Sequence, residues 1–118
     1  MTATLLLNAV RECDFQAQVQ DLARLCGWRT YHTYDSRRSP EGYPDLCMAH
    51  PKQRRLLFVE LKAARGKLSL EQVEWLDTLT DAECCEVYCW YPVDWTDGTV
   101  EAVLRANPDV EVETELAA

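Results

Sequence analysis

Gly42-Tyr43-Pro44-Asp45-Leu46, followed by Phe58-Val59-Glu60-Leu61-Lys62 with its glutamate fifteen positions after the aspartate, is the stretch on which the reading of this chain turns. Side chains alternate along a strand, so Val59 and Leu61 point to one side and Glu60 and Lys62 to the other. The apolar pair can then enter a core while the charged pair faces a cleft. Leu46 to Ala49 and Leu56 to Lys62 read as adjacent antiparallel strands, connected by the polar run His50-Pro51-Lys52-Gln53-Arg54-Arg55. The midpoint of that hairpin falls between Lys52 and Gln53, which sets Asp45 opposite Glu60. Two carboxylates at that range repel each other unless a cation lies between them, and carboxylate oxygens suit Mg²⁺ or Mn²⁺. Lys62, two residues further along the same face, can polarise or orient a water beside such an ion.

Working outward, a first helix is expected from about Leu6 to Cys26, with Phe15, Val19, Leu22 and Cys26 on one face and Gly27 as a natural stop. Glu12 lies near the edge of that face, where it can reach the cleft. A carboxylate in a first or second turn is also what the helix dipole favours, so on the residues alone both readings stand. Trp28 to Tyr34 reads as a strand, and Asp35 to Tyr43 as a polar loop with Pro40 and Gly42. Within that loop Ser36, Arg37, Arg38 and Ser39 offer two guanidinium groups and two hydroxyls to phosphates, although a solvated surface loop looks the same. His32 can serve as a phosphate or water ligand, against the commoner duty of a structural hydrogen bond. Ser69-Leu70-Glu71-Gln72 is a capping box opening a second helix, with Val73, Leu76 and Leu79 as its buried face. Gln72 shares that face, yet a Gln here can be no more than a cap. Val87 to Tyr91 reads as a further buried strand and Thr99 to Ala106 as a short helix.

No repeat or linker divides the chain, so residues 1–108 form one domain and 109–118 an acidic tail read as disordered. A chain of 118 residues with no run of eighteen apolar ones buries one modest core and has no membrane span. Met1 to Val10 lacks a basic n-region and a clear cleavage site, which argues against a secretory signal and for a cytoplasmic protein. The six cysteines contain no CxxC pair, and His32 and His50 complete no recognisable ligand set, so packing residues are expected rather than a zinc site. The net charge is −8, but nine of the twelve Lys and Arg fall between Arg29 and Lys67 against four acids, making that segment +5 and the remainder −13. Basic charge therefore surrounds Asp45, Glu60 and Lys62, where phosphate contacts would be needed, and Arg65 and Lys67 belong to it.

Glu12-Cys13-Asp14-Phe15, Gly27-Trp28, Tyr31-His32, Ser36-Arg37-Arg38-Ser39, Gly42 to Leu46, Glu60-Leu61-Lys62, Gly66-Lys67-Leu68-Ser69 to Gln72, and Trp90-Tyr91-Pro92 with Asp94-Trp95 follow one another from about Glu12 to Leu104. The series resembles the VRR-NUC branch of the PD-(D/E)xK, restriction-endonuclease-like nuclease superfamily. PD and ExK alone are weak patterns; the ordered series is specific. The resemblance implies an α/β fold with a central mixed β-sheet of about four strands flanked by α-helices. It also implies a Mg²⁺- or Mn²⁺-dependent DNA endonuclease leaving a 5′-phosphate. On this reading Glu12, Asp45, Glu60, Lys62 and Gln72 are the catalytic set, and Asp45 and Glu60 hold the metal with the Leu61 carbonyl and Glu12 in support. His32, Ser36, Arg37, Arg38, Ser39, Arg65 and Lys67 contact DNA. Stand-alone relatives of the branch resemble Holliday-junction resolvases, which implies branched DNA as substrate and a homodimer, for which Leu5 to Leu7 and Trp90 to Trp95 are candidate contact segments. Two other classes stay open: a nucleic-acid-binding or assembly module of the same fold without turnover, and an acidic protein that mimics nucleic acid.

Overall fold

The hairpin forms in the register the sequence predicts. In the computed structural model, which describes residues 11–33 and 40–106, β2 (Leu46–His50) pairs antiparallel with β3 (Arg55–Leu61), Leu46 opposite Val59 and His50 opposite Arg55. Extending that register by one residue sets Asp45 against Glu60. On one side of the hairpin β1 (Arg29–His32) pairs antiparallel with β2, and on the other β4 (Glu86–Trp90) pairs parallel with β3. The result is a four-stranded mixed sheet in the order β1-β2-β3-β4. A parallel partner for β3 needs a crossover, and α2 (Leu70–Asp81) supplies it.

Period-two alternation decides which side of the sheet is the core. Leu46, Met48, Leu57, Val59 and Leu61 are buried, together with Phe15, Val19 and Ala23 of α1 (Glu12–Leu25) and Val100 and Leu104 of α4 (Thr99–Leu104). Gly27 ends α1 with φ +96°, and a Cβ there would stand 2.8 Å from His50 Nε2. His50 Nδ1 accepts the Gln53 N–H at 3.1 Å, which leaves Nε2 to donate to the Cys26 carbonyl at 2.9 Å. This histidine therefore ties the hairpin turn to the end of α1. At the same end of the sheet Arg55 donates two hydrogen bonds to Glu86 (2.6 and 2.7 Å) and one to the Val103 carbonyl, while Trp28 donates to the Leu104 carbonyl at 2.9 Å. Between them these bonds satisfy carbonyls at the C-terminus of α4.

Several expectations change. Arg11 is extended (φ −82°, ψ 151°), so α1 begins at Glu12, and the first residues of the expected helix lie outside the described part. No residue of α2 is fully buried: Leu76 and Leu79 are half-buried and Val73 is exposed. The helix covers the opposite face of the sheet thinly, where Trp75 meets Tyr43 edge-on at 5.0 Å and Tyr43 in turn meets Phe58. β4 is an edge strand and is half-buried except for Trp90. Of the segment offered for self-association, Trp90 and Pro92 are buried within the chain's own fold and Val93 is exposed, so Trp90 is a core residue. None of the six cysteines is fully buried, and Cys13 and Cys84 are exposed, so only the half-buried ones can serve packing. A short α3 (Pro92–Thr96) was not expected. The tail and Leu5 to Leu7 lie outside the described residues. Among the described residues no helix is long and apolar enough to cross a membrane.

Candidate active site

Asp45 is fixed from two sides. Its backbone carbonyl accepts the Thr33 N–H at 3.0 Å and the Thr33 hydroxyl donates to the Pro44 carbonyl at 3.1 Å, so the end of β1 clamps the Pro-Asp peptide. Its side-chain Oδ2 accepts the Leu61 N–H at 2.8 Å. The next residue back, Glu60, points away from the core as alternation requires, but it does not line an open cleft. Its exposure is 2%, and the first turn of α2 lies against it. Gln72, in the first turn of α2, donates its amide to Glu60 Oε2 at 3.0 Å, while its carbonyl oxygen accepts the Ser69 N–H at 2.8 Å. Gln72 is thus both the cap and a site residue, and the two readings of it are not exclusive.

Glu60 Oε1 is buried without a hydrogen-bond partner. A buried carboxyl oxygen in that state, ionised or not, carries an uncompensated desolvation cost, which is why such atoms are rare outside sites completed by something else. Burial, and next the neighbouring Asp45 charge, push the Glu60 carboxyl from its ordinary value up to about 8, with Lys62 working the other way. Glu12, the first residue of α1, is also pushed up, by burial first and then by Asp45, and lowered by Lys62. The four groups therefore share one electrostatic neighbourhood. Among the described residues no three His, Cys, Asp or Glu side chains converge as a ready chelate, so Asp45 and Glu60 are the nucleus of the site and Glu12 stands at its margin. The orphaned oxygen, the second carboxylate beside it and the all-oxygen donor set fit a hard divalent cation.

Lys62 follows β3 with its N–H on the Trp90 carbonyl at 3.0 Å. Its stem lies against Gly66, where a Cβ would come within 3.2 Å of Lys62 Cδ. Arg65 and Lys67 are exposed in the connection that follows. His32 is half-buried on β1 opposite Leu46. Ser36, Arg37, Arg38 and Ser39 lie outside the described residues. Two supports of the site were not foreseen: Thr33, whose only signal was its place at a strand end, and Cys89, which the parallel register sets beside Glu60. Burial, and then Glu60, push the Cys89 thiol up.

The VRR-NUC domain family model matches residues 7–90. A Fanconi-associated nuclease 1 homolog of Schizosaccharomyces pombe is 36% identical over an alignment of 59 residues that covers 47% of this chain and 8% of that protein. The chain thus spans a small part of the length of that curated relative. Among solved structures, a VRR_NUC domain superposes with a TM-score of 0.64 at 21% identity over 79% of this chain and 97% of the other. The Holliday junction resolvase Hjc of Archaeoglobus fulgidus superposes with a TM-score of 0.50 at 24% identity, covering 64% of this chain and 62% of that one. These two likenesses bear on the fold, which is restriction-endonuclease-like.

Proposed function

The chain belongs to the VRR-NUC family, and on that premise we propose that it is a Mg²⁺- or Mn²⁺-dependent DNA endonuclease with a preference for branched substrates. The observation that carries the metal is the buried, unpartnered Glu60 Oε1 beside Asp45. Asp45 and Glu60 would hold the ion, with the Leu61 carbonyl as a further oxygen donor and Glu12 adding negative charge at the margin. Bound there, the cation would polarise the phosphodiester and lower the pKa of an attached water.

The protein's own groups do the rest. The Leu61 N–H keeps Asp45 from turning away, and Gln72 keeps Glu60 Oε2 occupied. Lys62 would orient the attacking water or offset charge that accumulates on the equatorial phosphate oxygens. Water adds to phosphorus and the bond to the 3′-oxygen breaks, leaving a 5′-phosphate and a 3′-hydroxyl. His32, Ser36, Arg37, Arg38, Ser39, Arg65 and Lys67 would contact DNA phosphates. The family, together with the fold shared with the Holliday junction resolvase Hjc, supports DNA as substrate; a homodimer would match the twofold symmetry of a four-way junction.

The test is cleavage of a panel of four-way junction, flap, nicked and plain duplex DNA in Mg²⁺, in Mn²⁺ and in EDTA. Metal-dependent cutting of the branched members is expected. Undiminished cutting in EDTA would refute the mechanism.

A further inference from the structure

Gly42 lies three residues before Asp45 and has φ +89°, a left-handed conformation that L side chains avoid. The conformation is not its only constraint. A Cβ on Gly42 would stand 2.5 Å from the carbonyl carbon and oxygen of Glu71 and 2.8 Å from the backbone nitrogen of Gln72. Backbone thus lies on backbone, at the first turn of α2, with no flexible side-chain end that could yield. The next residue, Tyr43, packs its ring edge-on against Trp75 one turn further along α2 and against Phe58 of β3. The loop that carries Asp45 is docked on the helix that carries Gln72.

That docking has a consequence at the carboxylates. α2 has no fully buried residue, so its height above the sheet is set by half-buried Trp75, Leu76 and Leu79 together with the Gly42 contact and the Tyr43 ring. The height decides whether the Gln72 amide reaches Glu60 Oε2, now 3.0 Å away. With Oε2 taken by Gln72, it is Oε1 that is left without a partner. We propose that Gly42 is a positioning residue: its bare backbone lets α2 approach closely enough for Gln72 to engage one oxygen of Glu60, and so presents the other oxygen to the cation. The metal half of this inference rests on the reading given under Proposed function; the Gly42–Gln72 link does not.

The experiment uses the full chain, with Gly42→Ala, Gln72→Ala and the double variant. In metal-free ¹⁵N-labelled protein the Gln72 side-chain amide resonance, assigned by its loss in Q72A, should shift in G42A. Mn²⁺ affinity by titration calorimetry should fall about tenfold in each single variant, as expected for loss of one hydrogen bond to a charged group. The double variant should be no weaker than Q72A alone, because Gly42 acts through Gln72. A folded G42A with the Gln72 resonance unmoved, or losses that add in the double variant, would overturn the proposal. Wild-type affinity retained in Q72A would do the same, whether or not G42A folds. Should G42A not fold, Tyr43→Leu loosens the same docking without adding a Cβ, and an unmoved Gln72 resonance there also counts against the proposal. If wild-type protein takes up no Mn²⁺ that Asp45→Asn abolishes, the metal reading falls while the amide resonance still decides the Gly42–Gln72 link.

Discussion

Asp45 Oδ2 accepts the backbone N–H of Leu61 at 2.8 Å, so the first carboxylate of the pair is fastened to the strand that carries the second. One contact does structural and chemical work together, and substitutions can separate the two. Asparagine keeps an oxygen for that N–H but loses the charge. Asp45→Asn should melt within a few degrees of wild type yet cleave at least about 10²-fold more slowly. Melting curves and cleavage rates decide it, and wild-type rates in the D45N variant would remove Asp45 from the metal.

Glu60 makes a prediction that needs no substrate. Its carboxyl is pushed up to about 8 in the folded chain, from an ordinary value of 4.5, because burial and Asp45 disfavour the anion. The unfolded chain loses that proton first. Stability from this group is therefore fully present below about pH 4.5 and is lost as pH rises towards 8. Glu60→Gln cannot ionise, so metal-free E60Q should match wild type near pH 4.5 and exceed it in Tm by on the order of several degrees near pH 8. In wild type, Mn²⁺ uptake between these limits should release close to one proton, readable by calorimetry in buffers of different ionisation enthalpy. A Tm difference that does not change with pH would show that the carboxyl is not held neutral.

Lys62→Met keeps the stem that lies against Gly66 and removes the ammonium group. Cleavage should fall by about 10²-fold or more, with Mn²⁺ and DNA affinity changing several-fold at most. Loss of metal affinity instead would make Lys62 a structural neighbour of the two carboxylates.

Arg65 and Lys67 are exposed on the connection that leaves Lys62. Replacing both with Ala should weaken binding alike across DNA sequences and reduce the slope of log K against log salt by roughly 2. An unchanged slope would assign both to solvated surface.

How much of this was legible in the sequence depends on the range of the interaction concerned. The hairpin register was, because a polar six-residue connection between two apolar runs has one midpoint, and Asp45 opposite Glu60 follows from it. The capping box was too, since Ser69 and Gln72 satisfy one another's backbone locally. What could not be read was the distance from α2 to the sheet, which Gly42, Tyr43 and Trp75 set across the fold. Glu60 was accordingly expected to face a cleft and is 2% exposed, and Val73 was expected inside and is exposed. Trp90 is buried, as the reading of Val87 to Tyr91 as a buried strand has it, and so drops out of the candidate contact segment Trp90 to Trp95. α3 did carry a signal, Pro92 in its first turn and Asp94 accepting the Tyr91 N–H at 2.8 Å, but its five residues show no hydrophobic period.

The assembly is the last and most exposed prediction: a homodimer that prefers four-way or otherwise branched DNA to linear duplex. One domain of 118 residues has one candidate site and little surface with which to grip several helical arms. A twofold pair would turn two +5 segments and two carboxylate pairs towards a substrate of matching symmetry. Trp90 and Pro92 are buried within the chain's own fold, so of the segment Trp90 to Trp95 it is Val93 that remains exposed for such a contact. Light scattering at micromolar concentration should give twice the mass of the 13.6 kDa chain, and unlabelled junction should compete for the site at least about tenfold better than duplex of equal length. A monomer that cuts both equally would leave Asp45, Glu60 and Lys62 as the chemistry and take away the junction as the substrate.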